Sequence, residues 1–136
     1  MRNLRRFACA SLLCLASTAD GQDARNDINT WSPGKLRSRG EEALSLRNFD
    51  EALKLYRKAA ELEPENSVNF LRLYRVHSRI KRFPDALDAI TKAVELEPGN
   101  GDYRLSKGKL LKSLGQCDRA VVELKAIKAG PRICRG

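Results

Sequence analysis

Two stretches, "AAELEPENSVNF" at 59–70 and "AVELEPGNGDYR" at 93–104, lie thirty-four residues apart and share six of their first eight letters. The likeness extends upstream, because 47–66 aligned on 81–100 is identical at ten of twenty positions without a gap. Self-similarity at a fixed period of this size is typical of arrays in which one structural unit stacks on the next. The sequence therefore predicts a repeat protein.

Apolar residues recur in each copy at the spacing of one helical face. They are Phe49, Ala52, Leu53, Tyr56, Ala59 and Leu62 in the first copy, and Phe83, Ala86, Leu87, Ile90, Ala93 and Leu96 in the second. Each helix should end before Pro64 or Pro98, because proline lacks the N–H group that a helix needs. Asn48 with Glu51 predicts a capping box at the start of the first, and Pro84 suits the first turn of the second.

Another helix is expected before each of these, at 35–46 and 69–80, so that every period contains two helices. Two-helix units of this length, with small residues where helices cross, resemble the tetratricopeptide (TPR) repeat. The alanine, large residue, alanine and proline of that pattern fall at Ala52, Tyr56, Ala59 and Pro64, then at Ala86, Ile90, Ala93 and Pro98. A looser third unit keeps Gly108, Leu111, Gly115, Ala120 and Leu124, but has Ile127 in place of an alanine and an early Pro131.

The resemblance implies an all-α fold, a TPR superhelical solenoid of about three helix-turn-helix units at 33–66, 67–100 and 101–134. Stacked hairpins bury a continuous core and leave a concave surface lined by the first helix of each unit. We expect the apolar side of the last helix to lack cover within this chain. Either the chain is therefore part of a longer protein, or this side docks on a partner. That side carries Val121, Leu124 and Ile127.

The first twenty-one residues have the order of a secretory signal peptide. "MRNLRR" is basic, "FACASLLCLA" is apolar, and "STADGQ" is small and polar. The apolar run is shorter than the ~20 residues that span a bilayer as a helix. We predict cleavage after Ala19 or Gly21, followed by a polar linker at 22–32.

Cys9 and Cys14 would leave with the signal peptide, so Cys117 and Cys134 remain. The helix predicted at 118–129 separates them by ~18 Å, which is too far for a disulfide. We therefore predict two unpaired cysteines, of which one packs at a helix start.

His77 is the only histidine of the chain, which shows no nucleophile motif, phosphate loop or cluster of metal ligands. We expect His77 to be partly buried and hydrogen-bonded. The sequence predicts neither an enzyme nor a cofactor or metal site.

The net charge of +9 and the pI of about 9.7 raise nucleic acid as a partner. The basic residues are not interleaved with aromatic stacking residues, and a secreted protein meets little nucleic acid. We expect no nucleic-acid partner, and instead a solvated basic face that prefers acidic or extended peptides.

The groove positions predicted to bind such a polypeptide combine apolar and basic character: Arg37, Leu44, Val68, Leu71, Arg72, Arg75, Arg79, Leu105, Lys109 and Lys112. Ordinary packing between units is the alternative role for Leu44 and Leu105. One TPR subclass clamps the C-terminal carboxylate of cytosolic heat-shock chaperones with lysine, asparagine and arginine. Arg37 could stand for the first lysine, but the other positions hold Glu41, Arg72, Asp102 and Ser106, so this clamp is not expected here.

The third unit, "YRLSKGKLLKSLGQCDRAVVEL" at 103–124, resembles the family of the ER-lumenal DnaJ homologue of subfamily C, member three. That resemblance implies a lumenal co-chaperone of the unfolded-protein response, whose TPR array holds unfolded or misfolded polypeptides. Partnership with the lumenal Hsp70 would need a longer parent chain, because the His-Pro-Asp signature of a J domain does not occur here. No membrane contact is expected after signal cleavage, and secretion is the alternative location. An adaptor for one acidic or extended peptide is the alternative function.

Overall fold

The computed structural model describes residues 27–127. Within this range six α-helices follow one another and no strand occurs, which confirms the predicted all-α TPR solenoid. The helices are α1 Pro33–Ser45, α2 Phe49–Leu62, α3 Ser67–Arg79, α4 Phe83–Leu96, α5 Gly101–Ser113 and α6 Cys117–Lys125. The predicted signal peptide, Cys134 and the end of the third unit lie outside the described residues.

The helices form three hairpins in chain order. α1 packs on α2, α3 on α4 and α5 on α6, while α2 contacts α3 and α4 contacts α5 to join one hairpin to the next. The core consists of two clusters of buried side chains, and Phe70 and Tyr74 of α3 pack against both. The helix α3 therefore connects the cores of neighbouring units.

The turn inside each hairpin has the same backbone form. Arg47, Lys81 and Gly115 have φ values of 60°, 59° and 74°, in the left-handed region. In the first turn the N–H of Asn48 reaches back to the carbonyl of Ala43 at 2.8 Å. This is the Schellman arrangement that ends a helix when one residue turns left-handed.

The turn between hairpins is built by the repeated "ELEP" segment. Asn66 caps α3 by accepting a bond from the N–H of Val68 (3.1 Å), and its amide donates to Glu63 Oε2 at 3.0 Å. Asn100 caps α5 in the same way and donates to Glu97 Oε2, also at 3.0 Å. The repeated glutamate and asparagine thus fix how one hairpin leads into the next.

Two glycines allow the helices of a hairpin to approach closely. A Cβ atom at Gly40 would lie 2.4 Å from Cε1 of Tyr56, and one at Gly108 would lie 2.9 Å from Cγ of Leu124. The second unit holds Tyr74 at the equivalent position, where it packs against both core clusters. The three hairpins are therefore not identical in cross-section.

Several boundary predictions need correction. The helices predicted at 35–46, 69–80 and 118–129 lie instead at Pro33–Ser45, Ser67–Arg79 and Cys117–Lys125. The start of the second is set by the cap of Asn66. The linker at 22–32 remains a prediction, and in its described part Ile28–Thr30 form one 3-10 turn, which Asp27 caps by accepting from the N–H of Asn29 at 2.9 Å.

The helix starts at Asn48 and Pro84 agree with the sequence. Pro84 lies in the first turn of α4. The side chain of Asn48 accepts a bond from the N–H of Glu51 (3.4 Å), which is half of the predicted capping box, whereas the N–H of Asn48 bonds to the carbonyl of Ala43 and not to Glu51. Cys117 begins α6 and forms no disulfide within residues 27–127.

The exposed side of α6 differs from the one predicted. Leu124 is buried at 3% exposure because Gly108 leaves room for it, and Ile127 packs near Gly101. Val122, at 67% exposure, is the most open apolar side chain of α6. None of the helices in the described range is long and apolar enough to cross a membrane.

Candidate functional site

The groove surface consists of the sides of α1, α3 and α5, the first helix of each hairpin, on which the predicted binding residues lie. Helical spacing repeats the same register in α3 and α5, so that Leu71 corresponds to Leu105 and Arg75 to Lys109. Each pair combines a half-buried leucine with an exposed cation one turn later. The equivalent positions of α1 hold Arg37 and Glu41, so the first unit is chemically different.

The apolar candidates differ in accessibility. Leu44 is 8% exposed and belongs to the first core cluster, so its role is packing and it is not an accessible part of the groove surface. Leu71 is half-buried and also touches the second core cluster, whereas Val68 is 37% exposed. Leu105 is half-buried on α5. Three of the four apolar candidates therefore reach the surface.

Arg37 is held by the turn between α2 and α3. Its guanidinium forms an ion pair with Glu63 and donates to Oδ1 of Asn69 at 3.4 Å. The bond from Arg37 is the main cause that lowers the pKa of Glu63 below its ordinary value. Asn69 is fully buried and donates its amide to the carbonyls of Ala59 (3.1 Å) and Glu63 (3.3 Å). Arg37 is thus largely a structural cation.

Arg72 occupies the middle of the groove surface between α1 and α3. Its guanidinium forms an ion pair with Glu41 and lies over the ring of Tyr56, 5.8 Å from the ring centroid. Its Nε atom is buried without a hydrogen-bond partner in the described part of the chain. Burial, followed by the charges of Arg75 and Arg37, lowers the pKa of Arg72. Three arginines therefore converge here.

The remaining basic candidates face solvent. Arg75, Arg79, Lys109 and Lys112 are exposed, and none forms an ion pair with another residue of 27–127. The charge of Arg75 also acts on Tyr56, whose pKa burial raises to about 12. These four side chains are the accessible positive charges of the groove surface.

Sequence reasoning missed several polar residues that fix the groove helices. Ser67 donates its hydroxyl to Glu97 and lies 3.2 Å from the hydroxyl of Tyr103. Glu123 of α6 binds both Arg104 (3.0 Å) and Lys107 (2.7 Å) of α5. Only Glu97 carried a signal in the sequence, since it and Glu63 occupy the same place in the two copies.

His77 lies in the last turn of α3, next to α4. It is 5% exposed, as predicted, but its Nδ1 has no hydrogen-bond partner within the described range, contrary to prediction. Nδ1 lies 3.8 Å from Oδ2 of Asp85, too far for a hydrogen bond. Burial lowers the pKa of His77, and the carboxylate of Asp85 opposes this only in part. The buried imidazole is therefore favoured in its neutral form.

Comparisons with known proteins identify the repeat. A tetratricopeptide repeat family model matches residues 34–66, which is the first unit. Among solved structures, MamA of MSR-1 superposes with a TM-score of 0.63 at 23% identity, over 71% of this chain and 56% of that one. The chain therefore spans little more than half of that relative. No curated protein matches the chain significantly.

Two similar solved structures are TPR domains in complexes. The TPR2B domain of yeast Sti1 in a complex with pHsp70 has a TM-score of 0.65 at 20% identity, over 70% of this chain and 76% of that one. The first TPR of Spaghetti (RPAP3), bound to the HSP90 peptide SRMEEVD, has a TM-score of 0.65 at 21% identity, over 70% of this chain and 75% of that one. At these identities the likeness establishes a shared TPR fold.

Proposed function

We propose that this tetratricopeptide repeat protein is a scaffold that binds polypeptides along its groove surface, and that it holds unfolded or misfolded clients as a co-chaperone. The observation that carries the proposal is the repeated pair of a leucine and a cation, Leu71 with Arg75 on α3 and Leu105 with Lys109 on α5. Both pairs have the same spacing on successive first helices.

A repeated apolar and basic pair suits extended chains of many sequences. Each half-buried leucine offers an apolar contact, and each exposed cation offers a long-range attraction that does not require one geometry. Unfolded proteins expose many apolar side chains that folding removes from water. A surface that repeats the same modest contacts can therefore bind such chains without selecting one sequence.

The experiment is suppression of aggregation. A reduced, denatured model protein is followed by light scattering with increasing amounts of the purified chain. Leu71→Glu and Leu105→Glu should weaken suppression without loss of helical circular dichroism. Leu46→Glu is the matched control, because Leu46 is 73% exposed but lies in the turn between α1 and α2. Absence of suppression by a well-folded sample would exclude client holding.

The proposed location is the lumen of the endoplasmic reticulum, with secretion as the alternative. The basic, apolar and small-residue order of 1–21 and the resemblance of 103–124 to the lumenal DnaJ family support it. A fusion of residues 1–32 to a reporter protein tests it. Glycosylation of the reporter and loss of residues 1–21 are expected, whereas a full-length cytosolic fusion would contradict the proposal.

An adaptor for one acidic or extended peptide is the second candidate. It is favoured by two similar TPR structures, one in a complex with pHsp70 and one bound to an HSP90 peptide. An adaptor predicts a single saturable site whose affinity falls with salt. Isothermal titration with several unrelated unfolded peptides distinguishes the two candidate functions. An adaptor would bind at most one of these peptides, whereas a client holder would bind most of them.

A further inference from the structure

We propose that Glu41 is a specificity residue of the groove surface, which occupies the anion-binding position of Arg72 and thereby excludes peptide carboxylates. This inference rests on the proposed binding of polypeptides at the same surface. It applies equally to unfolded clients and to an extended adaptor partner, and it argues against an adaptor for an acidic peptide.

The cation at this position needs an anion. The guanidinium of Arg72 is held between α1 and α3 over the ring of Tyr56, with 23% of the side chain exposed and Nε buried without a partner within residues 27–127. A half-buried cation is costly unless an opposite charge compensates it. Glu41 supplies that charge through its ion pair with Nη1.

Glu41 is able to act as an internal competitor because it is itself accessible. Its side chain is 45% exposed, so the ion pair lies at the surface where a bound peptide would run. A carboxylate that approached Arg72 would meet the like charge of Glu41 before it could reach the guanidinium. Like charges at close range disfavour association, which makes the pair an element of selection against acidic ligands.

The other arginines of the cluster do not replace this position. Arg37 is already paired with Glu63 and bonded to Asn69. Arg75 is exposed and has no ion pair in the described range, so it supplies long-range attraction. Removal of the Glu41 charge should therefore leave Arg72 and Arg75 as two cations that are available to one peptide carboxylate.

The experiment compares two isosteric substitutions on the same helix. Glu41→Gln removes the proposed competitor, whereas Glu42→Gln removes the neighbouring carboxylate, which is 56% exposed and pairs with Arg39 at 2.7 Å. Both change the net charge equally, so general electrostatics are matched. Fluorescence anisotropy measures binding of a short leucine-containing peptide that ends in two glutamates, and of its glutamine counterpart with an amidated end.

Glu41→Gln should bind the acidic peptide about fivefold more tightly than the wild type, while Glu42→Gln should change the affinity less than about twofold. The neutral peptide should bind all three proteins alike. The gain should disappear when Glu41→Gln is combined with Arg72→Gln, because the guanidinium that accepts the peptide carboxylate is then missing. Glu41→Ala gives the same test if the glutamine variant loses helical circular dichroism.

Equal gains from Glu41→Gln and Glu42→Gln would overturn the inference, because net charge alone would then explain them. An acidic peptide that binds the wild type as tightly as the Glu41→Gln variant would overturn it as well. Binding of neither peptide to any variant would reject both this inference and peptide binding at the groove surface. Binding of the neutral peptide without a gain for the acidic one would reject the inference alone.

Discussion

The ring of Tyr56 lies against the backbone of Gly40, so closely that a Cβ atom at Gly40 would be 2.4 Å from Cε1 of the ring and 2.8 Å from Cζ. Tyr56 is fully buried, which leaves the ring little room to move away. The closeness of α1 and α2 in the first hairpin therefore depends on the missing side chain at position 40.

Gly40→Ala should destabilise the fold by about 1–3 kcal/mol, because the added methyl group overpacks the contact with Tyr56. Denaturant unfolding followed by circular dichroism measures the change. Gly34→Ala in the same helix is the control, since a Cβ atom there would have nothing within 4 Å. That control should be neutral or stabilise by up to about 1 kcal/mol, and equal losses for both would contradict the packing account.

Tyr56→Phe should preserve or raise the stability. The hydroxyl of Tyr56 is buried without a hydrogen-bond partner among the described residues, and loss of an unsatisfied polar group removes its desolvation cost of about 1–3 kcal/mol. Thermal unfolding measures the effect. A clear loss of stability would show that the hydroxyl is hydrogen-bonded in solution.

Lys81→Gly and Arg47→Gly should each stabilise the protein by about 1 kcal/mol. Both positions have left-handed φ values, of 59° and 60°, which are strained for residues with a side chain and free of strain for glycine. Equilibrium unfolding in urea gives the difference. Gly115→Ala, at the equivalent turn with a φ of 74°, should lose a similar amount and serves as the reverse control.

Stability should fall as the pH drops below about 6.5, the ordinary pKa of histidine, because burial lowers the pKa of His77 in the folded state. The unfolded chain then binds a proton that the folded chain resists. Urea midpoints between pH 5.5 and 7.5 test this, and His77→Gln should flatten the profile because His77 is the only histidine. Arg57, Arg82 and Asp85 also act on this imidazole.

Asp85→Asn sharpens the same test. The carboxylate of Asp85 raises the pKa of His77 against the effect of burial, so its removal should lower that pKa further. The loss of stability should then extend to lower pH than in the wild type. An unchanged profile would mean that Asp85 does not act on the imidazole in solution.

The order of helices could be predicted from the sequence because the two copies of the repeat share many identical residues. Apolar spacing, Pro84 and the prolines after each copy mark helices whatever their surroundings. The left-handed turns at Arg47 and Lys81 could not be predicted, since arginine and lysine have no preference for that conformation. Only the third copy shows the glycine that the geometry prefers, at Gly115.

The candidate site was less predictable for a different reason. Helical spacing places Arg37 and Arg72 on the groove side, but it does not say which carboxylates reach them. The pairing of Arg37 with Glu63 and of Arg72 with Glu41 depends on how neighbouring helices lie, which is a property of the packed units. Leu44 illustrates the same limit, because its helix face borders both the groove and the core.

The turns between the helices also bear on how the chain folds. The bonds that fix them join residues close in sequence, such as Asn48 with Ala43 and Asn66 with Glu63. Local contacts carry little loop-closure entropy, and proteins rich in them fold quickly. Each hairpin can thus acquire its turn before it meets its neighbour, so that folding has several possible starting points along the array and no obligatory nucleus.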